Sequence, residues 1–288
     1  MWLHRVIKHL LAILSIMLLG GLLGATLVRV APGFGVDEQE LDTRLSEESV
    51  QSLRLSHEEE KNIFRFYGHY LASLFQGNLG ISRSLGRPVA ELLVDRTPVT
   101  FRSVVIGLII GWLLGLTLAM PTSMYKSPIY ELSSTFVSGI FLCLPSAALA
   151  LLFLFIDGPG PLAIGLMIFP RVFRYAHNVF LQANSMAHIV AAKARGLRAF
   201  RVFWWHIMPP AVPQILALAG VSVSTAFGVA IPIEVICDSP GIGQLAWQAA
   251  LARDLPLLVN LTLLVTLTTL LANLSSDLAI MACRAQQQ

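Results

Sequence analysis

The sequence predicts an all-α, polytopic membrane protein with six transmembrane helices. Hydrophobic residues make up 55% of the 288 positions and charged residues only 13%, with a mean hydropathy of +0.70. A soluble domain carries roughly a quarter charged residues, so this chain has too little polar material to coat a surface in water. Uncharged apolar runs of bilayer length recur along it, and the segments between them alternate between basic and acidic character.

Crossing the hydrocarbon core takes about 20 largely apolar residues as a helix. Residues 10–28 provide 19 without a charge, after Arg5, Lys8 and His9. This run is too long for a signal peptide's core and no A-x-A pattern follows it, so it reads as a retained first helix. Residues 103–120 form the second span, stopped by Pro121, and 132–156 the third, with Pro145 inside it. Prolines are tolerated there when neighbouring helices re-satisfy the freed carbonyls. The fourth span is the weak one. Residues 159–169 are apolar, but Pro170, Arg171 and Arg174 follow, and the helix reaches across only by continuing to 179 with the arginines snorkelling toward one interface. Residues 211–231 and 257–276 are the fifth and sixth.

Loop charge sets the orientation, because short cytoplasmic loops are rich in Lys and Arg. With six spans, the inner segments hold Arg5 and Lys8, then Lys126, then Lys193, Arg195, Arg198 and Arg201, and finally Arg284. The outer segments are a long acidic loop, Asp157-Gly-Pro-Gly160, and 237–256 with Asp238, Arg253 and Asp254. Five spans would put the most basic loop outside. The expected organisation is a first helix over 1–30, an outer loop with small helices over 31–100, and a five-helix core over 101–284 that includes an inner loop at 184–207, with both termini cytoplasmic.

The outer loop concentrates the negative charge, with 11 of the 17 acidic residues between Val36 and Arg96. Ser56-His-Glu-Glu59 is a capping-box pattern. It opens an amphipathic stretch with Ile63, Phe64, Phe66, Tyr67, Tyr70, Leu71 and Leu74, suited to the membrane surface or to neighbouring helices.

Several function classes are disfavoured. Basic residues sit beside spans and do not cluster on an exposed face, so no nucleic-acid partner is expected. Cys143, Cys237 and Cys283 are scattered, odd in number and without metal spacing, and read as packing residues. There is no G-x-x-x-x-G-K-[ST] to cradle ATP, and His57-Glu-Glu-Glu60 lacks the second histidine of HExxH. No catalytic residue, cofactor or metal site is therefore expected. Asn260-Leu-Thr and Asn273-Leu-Ser match a glycosylation pattern but lie inside spans, so both are accidental.

Four features remain. Gly107, Gly111 and Gly115 line one face of the second helix, and small residues in lipid let helices approach closely. Glu234 ends an apolar run just before Asp238-Ser-Pro-Gly-Ile-Gly243. A carboxylate at membrane depth is costly unless it faces protein or water, so Glu234 belongs either to a solute path or to a structural contact with Arg253 or a backbone amide. Asp277, with Asn273, Ser275 and Ser276, reads as a helix-packing polar cluster. The stretch from Asn184 to Ile207 is the most specific: Asn184 or Ser185 can cap a slim helix through His188-Ile-Val-Ala-Ala-Lys-Ala-Arg195. Gly196 then supplies a left-handed C-terminal residue, and Phe200, Phe203, Trp204 and Trp205 suit re-entry into the headgroup zone. Pro209 and Pro210 open the next span. Such a knob fits a groove on a partner protein or binds anionic lipid through its cations.

This loop resembles the EAA motif of ABC-transporter permeases, with Ala191 and Ala192 on the two alanines, Gly196 on the glycine and His206-Ile-Met-Pro209 on the ending. Over nearly the whole chain the sequence is similar to the dipeptide/oligopeptide/nickel (DppB-like) permease family. The likeness rests on the order of Val28-Arg-Val-Ala-Pro-Gly33, Gly77-Asn-Leu-Gly80, Ser84-Leu-Gly-Arg-Pro-Val89, Leu144-Pro-Ser146, Glu234, Ser239-Pro-Gly-Ile-Gly243 and Arg253-Asp-Leu-Pro256. Val190 departs from the motif by standing where its glutamate would be. Asp157-Gly-Pro-Gly160 is shorter than the family's usual connection between the third and fourth helices.

The resemblance implies a type I ABC importer permease fold with a cytoplasmic coupling helix. Ala191, Ala192 and Gly196 would form its docking core on an ATPase subunit, with Arg195, Leu197 and Arg198 at the rim. It implies ABC ATPase subunits, a second homologous permease chain and a periplasmic or lipid-anchored solute-binding protein as partners, in a bacterial inner membrane. Glu234, Pro145 and Ser146 would belong to the translocation path or gate. Peptides are the favoured cargo, with nickel complexes, glutathione and sugars open. The competing class, an ion-gradient-driven secondary carrier, predicts inverted repeats and midplane ionisable residues. No repeat is visible.

Overall fold

A computed structural model gives the fold. It describes residues 72–74, 76–125 and 127–286, with isolated positions before them. Of the expected first helix only Ser15, Leu19, Gly20, Leu22 and Thr26 are described, each helical; the outer loop's capping box and Lys126 lie outside the described residues. Among those described, every regular element is helical, apart from one isolated antiparallel bridge between Ile81 and Pro88. The chain divides into two compact units, Met1–Arg96 with Leu245–Leu267, and Thr97–Gln244 with Thr268–Gln288.

Three stretches are long and apolar enough to cross a membrane: Val89–Thr122, Ala199–Ile236 and Leu255–Cys283. They contain the second, fifth and sixth expected spans. The first belongs to α1 (Val89–Met124), which starts earlier than expected and runs through Pro121. Pro121 removes only its own donor, and its carbonyl still accepts from the Tyr125 amide at 2.8 Å.

The third expected span is broken. It consists of α2 (Pro128–Cys143) and α3 (Ser146–Phe155), bent by 93° at Leu144-Pro145. Leu144 is extended (φ −74°, ψ 128°), as a residue before proline prefers, and Pro145 becomes the N-cap of α3. Neighbours do not bridge the proline here; the chain turns.

The fourth, α4 (Gly160–Asn184), is not among the long apolar stretches, yet it is the most enclosed helix, burying Ile164, Ile168, Val172, Phe173, Ala176, Val179 and Phe180. Hydropathy marks contact with lipid, and this helix is largely surrounded by protein. Its seam with α1 is the predicted glycine face. A Cβ on Gly107, Gly111 or Gly115 would come within 2.6, 2.9 and 2.7 Å of Ile164, Ile168 and Val172. Gly165 returns the fit, with Ile110 only 2.7 Å from where its Cβ would be. Contacts advance by four residues on both helices in the same direction, so α1 and α4 run parallel in register. Arg171 is thus level with Leu114, within the uncharged stretch of α1, and about 20 Å from the last residue of α4.

The second unit's core joins both sides of the loop 184–207. Ala119 of α1 and Phe173, Ala176, Phe180 and Ala183 of α4 pack with Ile189 of α5 (Ala187–Ala194), Val202 of α6 (Ala199–Val202) and Phe203 and Ile207 of a π-helical turn. That turn leads without interruption into α7 (Met208–Ile236). A short helix, α8 (Ile242–Leu251), follows α7, and in the first unit Asp254 precedes α9 (Leu255–Gln286) and is 1% exposed. Its Oδ2 accepts from Ser82 Oγ at 2.5 Å, Ser84 Oγ at 2.8 Å and the Ser84 amide at 3.0 Å. Its Oδ1 accepts from the Leu257 amide at 3.2 Å, capping the helix. Asn260 is buried and donates to the carbonyls of Leu79 and Pro256, which explains its match to a glycosylation pattern structurally.

Candidate functional site

The loop 184–207 contains a short helix, α5, with one face turned into the protein and one turned out. Ile189 (0% exposed) and Ala192 (5%) are three residues apart, so they share the side turned into the core. His188, Val190, Ala191, Lys193 and Ala194 face outward. Ala192, expected in a docking core, is therefore part of the knob's own seat, and Leu197 is half-buried against the same core. Ala191, Arg195, Gly196 and Arg198 are exposed.

The knob's ends also differ from expectation. Asn184 closes α4, and Ser185 Oγ donates to the Gln182 carbonyl at 2.8 Å, so Ser185 finishes the preceding helix. Met186 is the N-cap of α5 and contributes no side-chain bond. Asn184 instead accepts from Lys193 Nζ, tying the far end of α5 back to α4. Gly196 is left-handed as expected (φ +77°), its amide donating to the Lys193 carbonyl at 2.9 Å, with open space where a Cβ would project. Arg195, Arg198 and Arg201 add positive charge, and no Asp or Glu occurs between Asp157 and Glu234 to neutralise it.

Glu234 lies in the last turn of α7 at 2% exposure. Its Oε2 accepts from the Gly243 amide at 2.6 Å, so the backbone-amide alternative is the one realised. The turn after α7 closes around it: Gly241 stands so near that a Cβ there would overlap the carboxylate, and a Cβ on Gly243 would come within 2.6 Å of Ile231 Cα. Thr100 lies beside the carboxylate, but its hydroxyl accepts from the Ile242 amide at 2.7 Å. No donor reaches Glu234 Oε1 among the described residues.

A cavity of about 300 Å³ is lined by Glu234 together with Ser103, Phe153, Asp157, Cys237 and Ser239. Burial pushes the Cys237 thiol up from its ordinary value, which fits a packing thiol, and Sγ donates weakly to the Ala150 carbonyl at 3.7 Å. Pro145 and Ser146 do not line this cavity. They form the sharp corner between α2 and α3, Pro145 exposed and Ser146 half-buried.

Two polar groupings complete the second unit. Ser276 Oγ donates to the Leu216 carbonyl and Asn273 packs against Gly220, so the α9 cluster holds α7 and α9 together, the packing role expected of it. His177 on α4 was not anticipated. Its Nδ1 is 2.7 Å from Thr122 Oγ1 and its Nε2 is 3.6 Å from Glu131 Oε1, joining α1, α4 and α2. No local spacing announces a contact across such separations.

A family model described as "Binding-protein-dependent transport system inner membrane component" matches residues 107–282, more than half of the chain. The nickel import system permease protein NikB of Staphylococcus aureus is 25% identical, covering 88% of this chain and 82% of its own length. The oligopeptide transport system permease protein AppB of Bacillus subtilis is 22% identical over 74% of this chain and 76% of its own. Among solved structures, a chain of the MetNI methionine ABC transporter in an inward-facing conformation matches with a TM-score of 0.60 and 18% identity, covering 67% of this chain and 96% of that one.

Proposed function

The chain belongs to the binding-protein-dependent transport system inner membrane component family, the permease subunits of ABC importers, and on that premise we propose how its parts move a solute. The chain carries six transmembrane helices with both termini in the cytosol: the first over 1–30, an outer loop over 31–100 and a core over 101–284. The inner loop 184–207 is the coupling element that docks on an ABC ATPase subunit. A second permease chain completes the pathway, and a periplasmic or lipid-anchored binding protein delivers cargo from outside. The cargo is a small peptide, in line with relatives named for oligopeptide transport.

The observation that carries this reading is the knob's two-sided construction. Outward, Val190, Ala191, Arg195, Gly196 and Arg198 offer a slim basic surface. Inward, Ile189 and Ala192 are embedded among Phe180, Phe203 and Ile207. Close-packed side chains transmit displacement because they cannot be compressed, so a shift of the knob carries α4, the π-turn and α7 with it. ATP binding in the partners then selects between inward-open and outward-open arrangements by the different contacts each allows. The chain itself is not an enzyme; hydrolysis belongs to its partners.

The test is to purify the tagged chain from its native membranes and reconstitute what accompanies it. ATPase subunits co-purify, and uptake of a radiolabelled dipeptide requires both ATP and the binding protein. Uptake that runs on an ion gradient without ATP would establish the secondary carrier instead.

Glu234 and the corner at Pro145-Ser146 belong to the outer part of the path. Glu234 holds the 238–243 turn over the cavity, so Glu234→Ala lowers uptake by the assembled complex by about tenfold, the scale of one lost buried charge-assisted hydrogen bond. Unchanged uptake would remove Glu234 from the path.

A further inference from the structure

One face of α4 is out of keeping with the rest of the helix. Arg171, Arg174, Tyr175, Asn178 and Gln182 recur at three- and four-residue steps and are all exposed, while Val172, Phe173, Ala176, Val179, Phe180 and Ala183 on the other side are buried. Register with α1 sets the arginine end of this stripe beside the apolar span: Val172 packs on Gly115, inside the uncharged stretch of α1. Neither arginine has a hydrogen bond or ion pair among the described residues.

Lipid suits this face poorly, because two guanidiniums one turn apart, continued by a phenol and two amides along the same side, form a polar stripe that hydrocarbon does not solvate. A second copy of the same chain fits no better. In a two-fold symmetric contact across this face it would set arginine against arginine. Packing between membrane helices also favours small or apolar surfaces, whereas this face presents two cations, a phenol and two amides beside one exposed leucine, Leu181. The surroundings that suit it are aqueous.

We propose that this stripe of α4 lines the water-filled part of the translocation pathway and is a contact site for anionic groups of the cargo, with Arg171 and Arg174 receiving a carboxylate. Guanidinium pairs a carboxylate through two parallel hydrogen bonds, and the amides of Asn178 and Gln182 extend the polar track toward the cytosol. A peptide's free C-terminal carboxylate has this chemistry. A bare divalent cation is repelled, so a metal would pass only within an anionic complex. The inference rests on the reading of the chain as a solute pathway, and it selects among the cargoes that reading allows.

The deciding experiment needs no knowledge of the cargo. In inside-out vesicles carrying the native complex, Cys143, Cys237 and Cys283 are replaced by serine and a single reporter is introduced as Asn178→Cys or, separately, Gln182→Cys. Sulfonate-bearing and trimethylammonium-bearing methanethiosulfonates are then compared. Because a cleft of one charge sign concentrates counter-ions about tenfold or more, the sulfonate reacts faster by that factor, and Arg171→Gln with Arg174→Gln abolishes the preference. No reaction at either reporter, as expected if lipid or a partner chain covers the face, overturns the proposal; so does equal reactivity toward both reagents.

A second arm compares uptake of trialanine and its C-terminal amide, each corrected for its measured affinity for the binding protein. Arg171→Gln lowers uptake of the acid about tenfold, the scale of one charge-assisted pair, and leaves the amide unchanged. Equal effects on both overturn the carboxylate assignment. Failure of the unmodified complex to import either peptide counts against the peptide reading of the preceding section, while the labelling result still decides the stripe.

Discussion

Gly111→Leu lowers the melting temperature of the detergent-solubilised protein by roughly 10 °C, from a destabilisation of about 3 kcal/mol. The Cβ alone would sit 2.9 Å from Ile168 Cβ and 3.0 Å from the Gly165 carbonyl oxygen. Leucine adds three more carbons to a place with no room for one. Ile168 is 1% exposed and has nowhere to retreat, so α1 and α4 must separate, undoing the contacts at Gly107 and Gly115 as well. Gly139→Leu is the control: it inserts the same side chain where nothing lies within 4 Å. Equal melting temperatures for the two variants would show that the glycine seam does not set the spacing of these helices.

Gly196→Trp abolishes co-purification of the ATPase subunits and with it ATP-driven uptake, while the chain still inserts and folds. The two effects separate because the position is open on its own side: no atom lies within 4 Å of the absent Cβ. The indole therefore projects into the space a partner must occupy. A side chain at φ +77° also carries a conformational cost of about 1–2 kcal/mol. Gly196→Asn isolates that cost, since asparagine tolerates the left-handed region, and it retains partner binding. If the tryptophan variant still binds its ATPases and transports normally, the docking assignment is wrong. If the asparagine variant also loses binding, the loss comes from the backbone and not from bulk.

Much of the architecture is legible in the chain. Runs that face lipid must be apolar along their length, so the second, fifth and sixth spans stand out. Three glycines four residues apart mark a close helix contact, although they do not identify its partner. Gly196 after a short alanine-rich helix is left-handed for the reason its position suggests.

Legibility fails where two elements compete for one local rule or where the neighbour decides. Asn184 and Ser185 satisfy the pattern of an N-cap, but the preceding helix takes them for its own end. Pro145 is compatible with a kinked span or with a corner, and the residues available to satisfy the freed backbone choose between them. Ala191 and Ala192 are equivalent in a motif, yet one faces the solvent and the other the core, because the helix is anchored through Ile189. Glu234 offered two structural partners and a functional role, and only the folding back of 238–243 selects the Gly243 amide.

By itself the sequence determined the solvent and the family of this protein, since those follow from composition and from the order of short motifs. Only the tertiary structure decided which side of each helix meets protein. α4 makes the difference plain: its arginines interrupt an apolar run in the sequence, and only packing against Gly107, Gly111 and Gly115 sets their register with α1. Hydropathy adds contributions along a helix without regard to direction, whereas burial is a property of faces, and faces are assigned only when another helix arrives.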